Sequence, residues 1–235
     1  MPELFKGRGP EVVHDHRDVA HQFADAEQQH ASAELGMWLF LVTEIMFFGG
    51  LFLAYFIYRE SYPIAFTMGS HYLNVRLGTI NTGILLTSSL TMALAVGAAE
   101  QSQRGWLVVL LLATMVLGSV FLGIKGWEYY QKYSEHVIPF AGWTFEPAGS
   151  HRAGMMAFFN LYFLMTGLHA LHMVIGLAML ALLTAWACRG EWPQSRLSLV
   201  HNVGLYWHFV DLVWVYLFPF FYLVSASVVS VPPAH

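Results

Sequence analysis

Charged side chains are missing from long stretches of this chain, and their spacing decides what it can fold into. Thirty-six residues lie between Arg152 and Arg189 with no charge among them. Residues 77–99 carry none, residues 105–124 carry none, and none follows Asp211 to the end at His235. Residues 36–58 carry one, Glu44. A helix that crosses a bilayer needs roughly 20 mostly apolar residues, so every one of these runs is long enough. Charged residues make up 11% of the chain, against roughly 25% in soluble domains. A soluble fold of this size cannot cover its surface with so little polarity. Hydrophobic residues reach 57%, which argues against disorder. The net charge of −4 offers no footprint for nucleic acid. The lone cysteine, Cys188, provides neither a disulfide framework nor a Cys-based metal site.

The reading is an all-α integral membrane bundle of five transmembrane helices, at about 36–58, 78–99, 105–126, 154–187 and 203–229. The fourth has no Pro or Asn–Gly signal inside 161–187 and is read as one long helix, tilted or projecting from the bilayer. Glu100 to Arg104 is a tight turn, so the second and third spans should be antiparallel neighbours. The 59–77 loop holds Pro63, and the 127–152 loop, with Pro139 and Pro147, should lie on the membrane surface. Residues 1–33 form an extramembrane amino-terminal arm and 34–235 the transmembrane domain. The arm has no apolar core resembling a signal peptide. Lys and Arg divide six against five between the two sides, too evenly to orient the chain.

An ionisable residue at membrane depth is a functional hypothesis by default. Glu44 lies about 12 Å past Gly36 along the first span, with no Lys or Arg within one helical turn. It suits a proton-handling group, or else a carboxyl bonded to a neighbouring helix, with Ser88, Ser89 and Thr43 as candidate partners. Asp211 sits eight residues into the fifth span, and His208 precedes it by three, a spacing that suits a structural pair on one face. His169 and His172, in H-A-L-H, also share a face. The fourth helix has no acid to complete a metal site, and packing against aromatic rings or carbonyls is the simpler role. Lys125 and Glu128 close the third span, can pair at i,i+3 and, with Trp127, Tyr129 and Tyr130, read as an interface anchor. Glu34, His30 and Arg152 sit at span edges, where snorkelling is the default. No phosphate-binding glycine loop, nucleophile elbow or pore-lining charge cluster occurs.

Five segments then carry a family. G-M-W-L-F-L-V-T-E-I-M-F-F-G-G-L-F (36–52), I-N-T-G-I-L-L-T-S-S (80–89), G-I-K-G-W-E-Y (123–129), T-G-L-H-A-L-H-M-V-I-G (166–176) and Y-W-H-F-V-D-L-V-W-V-Y-L-F-P (206–219) resemble, in order, the conserved core of subunit III of heme-copper oxidases. The resemblance implies a non-catalytic subunit with no cofactor of its own. Heme and copper would reside in partner subunits I and II, subunit I being the main contact, and a larger respiratory supercomplex is a further setting. It also implies support of proton uptake and bound phospholipid. Glu44 matches the family's intramembrane carboxylate, and His169, His172 and His208 fall in helix-packing motifs. Mitochondrial-type members have seven spans and this chain matches the last five, as in bacterial members. The lipid cleft depends on the two missing helices, and subunit I is expected to supply helices there instead. The resemblance places the chain in a bacterial inner membrane with a cytoplasmic amino terminus. Cytochrome c oxidase is the first reading and a quinol oxidase or nitric oxide reductase subunit the second. A standalone proton channel and a heme-binding membrane anchor are the more distant ones.

Overall fold

A computed structural model describes residues 26–135, 151–189 and 197–224. Six helices follow one another: α1 Ala26–Ser61, α2 Pro63–His71, α3 Val75–Glu100, α4 Arg104–Ser134, α5 Arg152–Arg189 and α6 Leu197–Tyr222. Five are long and apolar enough to cross a membrane, and no strand occurs among the described residues. The five-span all-α reading holds. Helix α1 starts at Ala26, inside the stretch assigned to the arm, and α6 starts earlier than expected. Residues 1–25, most of the 127–152 loop and residues 225–229 lie outside the described residues.

The sequence reading missed α2. Pro63 occupies its first turn, where a missing N–H costs nothing. A helix of 9 residues is too short to span, and it reads as loop from composition. Its Ala65, Phe66, Gly69 and Ser70 are buried, and Phe66 meets Phe158 of α5 edge to face.

Hydrogen bonds fix the helix directions. Asn81 reaches the carbonyl of Phe121, and Ser88 that of Thr114, so α3 and α4 run antiparallel. Trp214 Nε1 donates to Thr82 and Trp207 Nε1 to Ser88, so α3 and α6 do too. Arg104 at the start of α4 donates to the carbonyls of Ala187 and Cys188 at 2.5 and 2.7 Å. It thereby satisfies two of the free carbonyls at the end of α5. Helix α1 lies parallel to α6: Asn202 bonds the Ala33 carbonyl at one end, and Tyr55 donates its hydroxyl to the Phe220 carbonyl at the other. That carbonyl is one of the last four of α6, which no helical N–H can reach.

Exposed aromatics mark both edges of the bilayer. Trp38 and Tyr58 bracket α1, and Trp106 and Trp127 bracket α4. Each pair spans about 30 Å at 1.5 Å per residue, the thickness of the hydrocarbon core. The buried core gathers Trp207, Trp214, Phe121, Phe158 and Tyr162 between α3, α4, α5 and α6. Among the long helices, α1 packs mainly on α5 and α6, and it leaves most of its surface free.

Candidate functional site

Glu44 points across the bundle to His172 of α5. The carboxylate Oε2 and imidazole Nε2 are 3.1 Å apart, with both side chains largely enclosed. The expected partners Ser88 and Ser89 lie on α3 and do not meet it. Thr43 donates instead to the Phe40 carbonyl of its own helix. The other ring nitrogen of His172, Nδ1, bonds the Leu168 carbonyl at 2.8 Å. A carbonyl only accepts, so Nδ1 carries a proton. The Glu44–His172 contact then needs one more proton, held by the carboxyl or by the ring. The pair is neutral overall in either form, which makes its burial far less costly than that of a lone carboxylate. Phe48 packs edge to face on the imidazole, and Tyr206 stacks against its other side. The Tyr206 hydroxyl donates to the His172 carbonyl.

The two histidines of H-A-L-H do not work together. On an α-helix, positions three apart point about 60° from one another, and here that separates their surroundings. His172 faces α1. His169 faces the core, between Phe121 and Trp214 with ring centroids 5.5 and 5.3 Å away.

The Asp211–His208 pair does not form. His208 turns to α3, where its Nδ1 lies 2.7 Å from the Ser89 hydroxyl. Asp211 is buried, and neither carboxyl oxygen has a hydrogen-bond partner among the described residues. Ser89 lies beside it, and a hydroxyl that accepts from the His208 ring keeps its own proton free to turn toward the Asp211 carboxyl. The i,i+3 spacing allowed a pair, and the neighbouring helix offered His208 a better one.

The expected i,i+3 pair of Lys125 and Glu128 forms, but in the core rather than at an interface. Both are buried, with 4% and 2% of their surface exposed. Lys125 Nζ donates to Glu128 Oε2 at 3.0 Å, to the Tyr162 hydroxyl at 3.0 Å and to the Tyr222 hydroxyl at 2.9 Å. Tyr162 and Tyr222 both donate to Glu128 Oε1, at 3.0 and 2.6 Å. An ammonium has three donors and each phenol one, so every donor is used. The same contacts are all satisfied whether the shared proton sits on Lys125 as an ammonium or on Glu128 as a carboxylic acid donating to the amine, so the pair has no net charge in either form. The rings of Tyr129, Tyr162, Trp214 and Tyr222 surround the ammonium at 5.0 to 5.5 Å, adding cation–π attraction. Sequence reasoning missed Tyr162 and Tyr222. The available signal was a tyrosine inside a charge-free run, whose buried hydroxyl has to find a partner.

Among the described residues, no three His, Cys, Asp or Glu side chains come together as a metal site. His172 is committed to Glu44 and Leu168, His208 to Ser89, and His169 is wedged between two rings. These histidines do not fit as a heme or copper ligand set.

Comparison with known proteins gives the following matches. The family described as cytochrome c oxidase subunit III matches residues 15–226. Cytochrome bo(3) ubiquinol oxidase subunit 3 of Pseudomonas aeruginosa is 29% identical over 90% of this chain and 94% of its own length. A probable cytochrome c oxidase subunit 3 of Nocardia farcinica is 30% identical over 81% of this chain and 87% of its own. A probable quinol oxidase subunit 3 of Staphylococcus haemolyticus is 28% identical over 82% and 89%.

Proposed function

Because the chain belongs to the cytochrome c oxidase subunit III family, we propose that it is the non-catalytic third subunit of a bacterial proton-pumping terminal oxidase. In this reading it sits in the inner membrane with its amino terminus in the cytoplasm. It stabilises subunit I, contacts subunit II, and supports proton uptake during oxygen reduction. Heme and copper belong to those partner subunits. The observation that carries the reading is the family match over residues 15–226.

The Glu44–His172 pair is what this chain brings to proton handling. It holds one exchangeable proton inside the membrane at no net charge, about 9 Å inward from Trp38 along α1. The apolar groove between α1 and α6, lined by Phe48, Phe52, Phe209 and Phe220 with a volume of about 300 Å³, fits an acyl chain of a bound phospholipid.

Electron donation by cytochrome c is the first reading, supported by relatives such as that of Nocardia farcinica. Quinol donation is the second, favoured by the ubiquinol oxidase relative that matches 90% of this chain. Purification from the native membrane, with heme and copper analysis, tests the proposal. Co-purification with a heme- and copper-bearing subunit is expected, and isolation of the chain without one refutes the assignment. Copper ligands in the accompanying subunit II, with oxygen consumption fed by reduced cytochrome c rather than quinol, decide the donor. The isolated chain in vesicles is expected to conduct no protons and to show no Soret band.

A further inference from the structure

Among the described residues, five polar side-chain atoms in the core have no hydrogen-bond partner: Asn81 Oδ1, both ring nitrogens of His169, and both carboxyl oxygens of Asp211. His169 and Asn81 are 1% exposed, and the packing brings them to the same neighbours. Asn81 reaches the backbone of Phe121, whose ring meets His169. Trp214 lies against both Phe121 and His169, and its indole N–H goes to Thr82, the residue after Asn81.

None of these neighbours can serve His169. The Phe121 ring is apolar. The indole N–H of Trp214 is taken by Thr82. The nearby Lys125 has all three donors engaged. Turning the Asn81 amide over does not help either, because its oxygen would then face the Phe121 carbonyl. A neutral imidazole has one donor and one acceptor, and in a membrane interior no solvent lies alongside to meet them. Buried polar atoms in native proteins nearly always find a partner, and where protein cannot supply it ordered water does.

We infer that the core between α3, α4, α5 and α6 holds an internal water site, in which ordered water bonds the ring nitrogens of His169 and reaches Asn81 Oδ1. The ligand is water rather than a metal ion, because no three His, Cys, Asp or Glu side chains come together among the described residues. The site is separate from the Glu44–His172 pair and does not rest on the assignment of function.

A cryo-electron microscopy map of the chain in its native complex tests it, at a resolution where ordered water is seen elsewhere in the membrane region. Density within about 3.2 Å of a His169 ring nitrogen, lost in a His169→Phe variant of the same complex, is the expected result. Bare ring nitrogens in the wild-type map overturn the inference. So does a His169 that has turned to bond a protein group, or density that persists unchanged in H169F. Should H169F fail to assemble, Asn81→Leu replaces it, and density that keeps its contact to His169 but loses its second partner is then required.

Discussion

Glu44 and His172 share one proton whichever of them holds it, and substitutions can separate that property from the contact itself. Glutamine at position 44 keeps a donor that reaches His172 Nε2 but has no acid proton to release. Glu44→Gln is therefore expected to leave assembly intact and to slow or shorten turnover of the complex. The loss should be partial, well below the roughly 100-fold or more that follows removal of a catalytic acid or base. Oxygen consumption over prolonged cycling measures it, and unchanged turnover would count against a proton role. Lys125 and Glu128 present the opposite case. Lys125→Met leaves the buried Glu128 without its partner and should cost about 3–5 kcal/mol, read as loss of the chain from the purified complex. Adding Glu128→Gln should recover part of it, since no buried carboxyl is then left without its partner. Asp211 has only the Ser89 hydroxyl within reach. Asp211→Asn keeps its shape without the cost of a carboxyl, so the thermal midpoint of the complex should hold or rise. A fall of several degrees would mean the carboxyl is paired in the assembled state.

Trp207 shows how whole helices set their distance. Its indole from α6 lies between α4 and α5, where a Cβ on Gly118 would come 2.8 Å from the ring and one on Gly176 2.9 Å. Its N–H reaches Ser88 of α3 at 3.1 Å, so one side chain locks four helices. Gly176→Ala must push α5 away or displace the ring, at about 1–3 kcal/mol. A lowered thermal midpoint with altered tryptophan emission is expected, and no change in either would show that the slot is slack. The number and rough extent of the long helices were legible because charges ring the spans and little else is charged. Helix α2 was not, since nothing in nine residues after a proline distinguishes an interfacial helix from a loop. Nor were the partners of Glu44, His208 and Lys125 legible. Periodicity along a helix says which residues share a face, and it is silent on which helix that face meets.

At the scale of the molecule, α3 to α6 form a core joined by side chains from every helix. Helix α1 is attached to α5 and α6 by the Glu44–His172 contact and by Tyr55 on the end of α6. The proton-holding pair thus lies at the seam between the core and its least enclosed helix. The buried Lys125 network has a consequence of another kind, for the order in which the chain is made. Translation delivers Lys125 and Glu128 to the bilayer with α4, before the groups that complete their bonding exist. Tyr162 arrives with α5 and Tyr222 only with the last turn of α6. Until then Lys125 and Glu128 have too few partners, and a chain that stops before Tyr222 leaves two buried polar groups with their bonding incomplete.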